Sequence, residues 1–214
     1  MNFHNESGRF DNFSSLNSCN MKLLAGHMTT KSVKRRQFIL NDQAVCKHYT
    51  FVAKGCFRKY RIDSRQVEQN LQFIPENEWV TEIDSFYAIK PSCVFIQAVE
   101  PSTIFQIGKD SLLELFHTLP DVERNFRLIA ENRIIQLERR ISLMLISSAK
   151  DRYLAFVEQF PGLCSRISNT QIASYLGITP EFLSKVRKEI LFETSFNRPN
   201  QIRGYGDNTV FTTK

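Results

Sequence analysis

No stretch of this 214-residue chain holds the roughly 20 consecutive apolar residues needed to span a bilayer. The N-terminal MNFHNESGRFDNFSSLNS lacks a basic segment followed by an apolar one, so a secretory signal is not expected. Five cysteines, Cys19, Cys46, Cys56, Cys93 and Cys164, form no C-x-x-C pair. An odd, scattered set fits reduced thiols and a cytoplasmic location. The four histidines, His4, His27, His48 and His117, show no metal-ligand spacing such as H-E-x-x-H, so no metal site is expected. There is no nucleophile elbow, P-loop or dinucleotide fingerprint, and no internal repeat. No catalytic residue and no cofactor are therefore expected, and the chain is not read as an enzyme.

What is present points to packed cores and a polyanionic partner. Apolar residues make up 42% of the chain and include eighteen Phe, enough for one large or two small domains. The net charge of +6 favours approach to nucleic acid. Its distribution weakens that argument. Residues 1–61 carry eleven Lys/Arg against three Asp/Glu, whereas residues 150–190 carry six against four.

Residues 1–20 are polar and read as a loose arm or a short capping helix. Between 32 and 107, VKRRQFIL, YTFVAKGCFRKYRI, VEQNLQFI and VFIQAVEPSTIFQI are short β-rich runs separated by turns. Such spacing predicts a jelly roll or a generic β-sandwich. Residues 109–117 read as a short helix interrupted by Pro120. From Asp121 to about Ser147 runs a long helical pattern, roughly 40 Å at 1.5 Å per residue. Phe126, Ile129, Arg133, Leu137, Ile141 and Met144 form one stripe of it; Leu128, Ile134, Ile135 and Leu145 widen the apolar surface. A second apolar flank fits either a partner helix or burial between two domains. Residues 150–163 read as another amphipathic helix, stopped at Pro161-Gly162.

The most specific segment is SNTQIASYLGITPEFLSKVRKEI, residues 168–190. Ile172 and Leu176 share one face of a first helix, and Leu183 and Val186 one face of a second. Ala173 is small where the helices must cross. Ser168 and Gln171 have capping-box spacing. Gly177 ends the first helix, Thr179 is a candidate N-cap, and Pro180 then falls at the first helical position. The second helix opens on polar residues, which a hairpin buried in a core would not. The segment reads as a DNA-binding helix-turn-helix. Residues 193–214 are either a small hairpin, with Gly204 to Asn208 as its turn, or a tail.

At Gly177 to Glu181 and Leu183 to Lys188 the chain resembles the Crp/Fnr family of bacterial transcription regulators. The likeness is strongest over 150–190 and continuous but weaker over about 30–149. It implies an α+β fold: an N-terminal cyclic-nucleotide-binding-like β-roll (jelly roll) at 21–120 after the 1–20 arm, a dimerisation helix at 121–149, and a helix-turn-helix domain at 150–214, with a wing or tail after 192. Lys54-Gly55 falls where the roll has a tight hairpin. Some Fnr-type relatives hold an iron–sulfur cluster through several N-terminal cysteines; only Cys19 stands there, so that cofactor is not expected.

The resemblance also implies sites. Ser168, Thr170, Gln171, Thr179, Glu181, Ser184, Lys185 and Lys188 are expected at DNA. Glu181 would accept from cytosine N4 and Lys185 would donate to guanine; Ser168, Thr170 and Lys188 would meet phosphates. Relatives use an arginine where this chain has Pro180, so the usual family operator is not expected. Ile134, Leu137, Ile141 and Met144 are expected at a dimer interface. The ligand loop of cyclic-AMP-binding relatives maps to Thr81, Glu82, Ser92 and Cys93. Its glycine is Thr81 here, its phosphate-binding arginine is Ser92, and Lys90 stands two residues early. No hydroxyl stands at Asn125 and Phe126, where relatives contact adenine. Tight cyclic-nucleotide binding is not expected. The implied partners are double-stranded DNA, a second copy of the chain, RNA polymerase and an unidentified small-molecule effector, with no membrane. The alternative is a small-molecule-binding or scaffold module that kept the fold without specific DNA binding.

Overall fold

The computed structural model describes residues 18–196. Of the arm expected at 1–20, residues 1–17 lie outside the described residues and 18–20 open a helix; of the wing or tail expected after 192, residues 193–196 continue a helix and 197–214 lie outside the described residues. Helix α1 (Ser18–Gly26) precedes strands β1 (Thr29–Val33), β2 (Phe38–Leu40), β3 (His48–Lys54), β4 (Phe57–Ile62), β5 (Glu68–Ile74) and β6 (Trp79–Val80). After α2 (Ile83–Ala88) come β7 (Phe95–Ala98) and β8 (Ser102–Gly108). The helices α3 (Lys109–Thr118), α4 (Pro120–Ile146), α5 (Ala149–Gln159), α6 (Asn169–Leu176) and α7 (Pro180–Phe196) complete the order.

Two antiparallel four-stranded sheets, ordered β1-β8-β3-β6 and β2-β7-β4-β5, face one another. Val52, Phe57, Ile74, Ile96, Ile104 and Ile107 alternate inward from both and are almost fully buried. The period-two pattern left a roll and a generic sandwich open, and the roll is the one that the resemblance implied. Leu112 and Leu115 of α3 and Val122 and Phe126 of α4 belong to the same core, so the helices close one end of it.

Two local expectations are corrected. Lys54-Gly55 turns the chain, but β3 and β4 do not form a hairpin. β3 pairs with β8 and β6, and β4 with β5 and β7, so Gly55 is where the chain crosses between sheets. Its φ of +98° is cheap only for glycine, and a Cβ there would lie 2.9 Å from Ser102 Cα. The hairpin is β4–β5 instead, closed at Asp63, whose carboxylate accepts from the Arg65 and Val67 N–H groups. VKRRQFIL, read as one strand, is the end of β1, a turn and the start of β2. Lys34 to Gln37 has no inward apolar residue to hold a strand, and Gln37 N–H closes onto the Lys34 carbonyl at 3.0 Å.

The long helix runs Pro120–Ile146, with Pro120 in the first turn, where its missing N–H costs nothing. Of its outer face, Ile134, Leu137, Ile141, Met144, Leu145 and Ile146 are exposed, Ile146 to 84%. No described helix is long and apolar enough to cross a membrane.

Candidate DNA-reading surface and ligand cavity

The helix-turn-helix is built as its sequence dictates. Ser168 Oγ accepts from Gln171 N–H at 3.2 Å and Gln171 Oε1 accepts from Ser168 N–H at 3.2 Å, a reciprocal cap on α6. Gly177 takes the left-handed conformation (φ 68°) and ends α6. Thr179 Oγ1 accepts from Phe182 N–H at 3.2 Å and opens α7. Ile172, Ala173, Leu176, Leu183 and Val186 are buried where the helices cross. Ala173 leaves the space that close crossing needs.

That packing decides what faces out. Ser168, Thr170, Thr179, Glu181, Ser184, Lys185 and Lys188 are exposed, while Gln171 is half-buried with its side-chain oxygen engaged in the cap. Ser184 Oγ donates to the Pro180 carbonyl at 3.0 Å. The Glu181 N–H and the Thr179 hydroxyl hold the Glu181 carboxyl below its ordinary value, so at neutral pH it is an acceptor only. Arg187, in the middle of this basic run, is committed inward: its guanidinium donates to Asn169 Oδ1 at 2.6 Å and to Tyr153 Oη at 3.0 Å. Sequence reasoning missed Asn169 and Tyr153, because their partner lies on another helix.

The unit sits against the roll through contacts that no motif announces. Asn70 on β5 donates its N–H to Ser174 Oγ at 2.9 Å and its side-chain amide to the Gln171 carbonyl at 3.1 Å. Ser174 Oγ in turn donates to the Glu68 carbonyl at 2.7 Å. Arg166 pairs with Glu76 at 2.7 Å and also with Glu100. From α4, Arg140 donates to the Asn70 and Tyr175 carbonyls at 3.1 and 3.0 Å and lies 4.0 Å from the Tyr175 ring centre. Beneath these, Phe73 of β5 joins Phe156, Phe160 and Tyr175 in a second apolar core.

A cavity of about 650 Å³ opens between the roll and α4. The residues expected at the ligand loop divide here. Thr81 and Glu82 line it; Ser92 and Cys93 do not. Ser92 is 1% exposed and its hydroxyl bonds the Val94 carbonyl and N–H, while Cys93 is exposed. Thr81 Oγ1 donates to the His48 carbonyl at 3.2 Å. Glu82 caps α2 by accepting from Ser85 N–H at 2.6 Å. Lys90 pairs at the surface with Asp84 at 2.6 Å. Two wall residues, Lys59 on β4 and Arg133 on α4, are not among those the sequence assigned to a ligand, although Arg133 lies on the stripe read for the long helix.

Residues 30–118 match the family described as the cyclic nucleotide-binding domain. The chain is 25% identical over 167 residues to regulatory protein HlyX of Actinobacillus pleuropneumoniae, covering 73% of this chain and 69% of that protein. It is equally similar to electron transport regulator A of Shewanella oneidensis, covering 73% of this chain and 66% of that protein. The chain thus spans about two thirds of the length of these relatives. The solved structure of FixK2 from Bradyrhizobium japonicum superposes with a TM-score of 0.69 at 16% identity, covering 78% of this chain and 86% of that one. The fold over most of the chain is therefore shared with a protein of known structure. Residues 30–118 thus match the cyclic nucleotide-binding domain family, and the chain as a whole is similar to bacterial regulators, among them one described as of the Crp/Fnr family.

Proposed function

We propose that the chain is a homodimeric, sequence-specific DNA-binding transcription regulator whose effector is not a cyclic nucleotide. The observation that carries this is the exposed polar start of α7 behind a fully packed α6–α7 crossing. An ordinary core hairpin would bury that face. Thr179, Glu181, Ser184 and Lys185 stand toward the first turns of α7, where base edges are read; Ser168, Thr170 and Lys188 flank them at phosphate height. Gln171 serves as a positioning residue through its cap. The exposed stripe Ile134, Leu137, Ile141 and Met144 on α4 supports pairing with a second copy. The Ser92 hydroxyl, turned into its own backbone, supports a ligand other than cyclic AMP.

Selection of bound sequences from random duplexes tests the reading. The expected product is an inverted repeat with half-sites about one helical turn, roughly 34 Å, apart. Lys185→Ala is expected to cost about 1–3 kcal/mol and relax preference at one base position. Lys188→Ala is expected to weaken binding to all sequences alike and lower the salt slope by about one. No enrichment over random duplex would overturn the proposal.

A further inference from the structure

The hydrogen-bonding groups that α7 offers to base edges are fewer than its polar sequence suggests. Pro180 has no side-chain donor. The Ser184 hydroxyl gives its proton to the Pro180 carbonyl at 3.0 Å. The Thr179 hydroxyl is engaged with the Phe182 N–H and the Glu181 carboxylate. Arg187 is turned inward to Asn169 and Tyr153. In the first turns that leaves Glu181 as an acceptor and Lys185 as a donor, both exposed. Two groups of this kind specify few base pairs.

Phe182 stands between them. It is the third residue of α7 and is 47% exposed. The exposure of a single apolar side chain would by itself mean little. Its place is what counts. Thr179 Oγ1 accepts from the Phe182 N–H at 3.2 Å, which fixes this residue at the head of the helix. One turn on stand Lys185, exposed, and Val186, buried. The ring therefore lies at the border between the packed seam and the face that carries Lys185. Among the described residues no other aromatic ring packs on it, whereas exposed Phe38 lies 5.8 Å from Phe95.

We infer that Phe182 reads a thymine: its ring meets the 5-methyl group of that base in the major groove, beside the base pair that Lys185 contacts. The inference rests on the proposed reading of α7 as the recognition helix, and adds to it a preference that hydrogen bonds do not carry. The thymine methyl is the one methyl group on the major-groove edges of the four bases. A phenyl ring gains there by taking both apolar surfaces out of water, and it offers no hydrogen bond to the polar edges of cytosine or guanine.

The test uses the full chain and the duplex obtained by the sequence selection above, with binding followed by fluorescence anisotropy. Each thymine of one half-site is replaced in turn by deoxyuridine, which removes only the methyl group. One replacement is expected to weaken the wild-type chain about fourfold, the worth of one buried methyl group. Phe182→Ala is expected to weaken the thymine duplex by at least as much and to bind the thymine and deoxyuridine duplexes alike, so that the two changes are not additive. Phe182→Leu, apolar but smaller, should keep part of the difference. Binding to random duplex should be the same for all three chains, because the ring carries no charge. A selected half-site with no required A·T pair, deoxyuridine duplexes all bound as well as the thymine duplex, or a methyl effect that persists unchanged in Phe182→Ala would each overturn the inference while leaving α7 as the recognition helix. Equal weakening of selected and random duplex by Phe182→Ala would assign the ring to the sugar–phosphate backbone and overturn it as well. No enrichment of any sequence would remove the reading of α7, and this inference with it.

Discussion

Single residues set the geometry at two turns, and both are glycines for different reasons. At Gly177 the backbone is left-handed, and an added Cβ would lie 3.1 Å from Met144 Cε, the far end of a flexible side chain. The strain is therefore mostly that of the backbone, and Gly177→Ala should destabilise by about 1–2 kcal/mol in denaturant unfolding. At Gly55 the added Cβ meets Ser102 backbone, which cannot swing aside. Gly55→Ala should cost more than Gly177→Ala, and an equal or smaller cost would show that β3 and β4 can part there. At the same scale, Cys56 is fully buried against Phe73 and Val99, and burial pushes its thiol up to about 12. It should resist alkylation in the folded chain while exposed Cys93 reacts, a difference that mass spectrometry reads directly.

Among elements, the decisive contact is the one between the helix-turn-helix and the edge strand β5. Arg166 spans from the turn before α6 to Glu76 and Glu100, and Asn70 binds α6 from the strand. Burial raises the Glu76 carboxyl, but hydrogen bonds from Arg166 and from the Gly55 N–H outweigh it, and the net shift is downward from the ordinary 4.5. A depressed carboxylate contributes stability that is fully present above its unfolded value and is lost as pH falls through its folded value. The contact should therefore weaken below about pH 4.5, with proteolytic cutting near α6 rising before the roll unfolds. Glu76→Gln should remove most of that acid sensitivity and cost about 1–3 kcal/mol at neutral pH. Cutting that stays independent of pH in the wild type would show that the pair does not hold the domains together.

On the scale of the whole molecule, α4 carries an apolar face that stands exposed among the described residues. Ile141 is 58% exposed and Ile134 56%. A second copy covering this stripe would bring two recognition helices to one face of a duplex. Sedimentation should report a dimer, and Ile141→Asp should shift it toward monomer by placing an unpaired charge in the contact. A wild-type monomer at micromolar concentration would remove the basis for an inverted-repeat site. Cyclic AMP and cyclic GMP should leave the melt unmoved. A ligand held only by the folded state at a hundred times its Kd stabilises by about 2.7 kcal/mol, so a real effect would be plain. A saturable cyclic-nucleotide shift abolished by Glu82→Ala would restore the family's usual effector.

Much of this was legible in the order of residues because it rests on local rules. Caps at Ser168 and Thr179, the glycine stop at Gly177, the inward faces of α6 and α7, and the 27-residue span of α4 follow from hydrogen bonds and periodicities a few residues long. The exposed start of α7 follows in turn, since the buried stripe leaves only one face. Other features were decided by packing between distant segments. Gly55 looked like a hairpin turn because a sequence cannot say that its two strands join opposite sheets. Ser92 stood at the expected ligand position in alignment, yet the fold turned its hydroxyl inward and brought Lys59 and Arg133 to the cavity instead. They lie 74 positions apart in the chain, so only the closure of α4 over the roll could place both charges around one space.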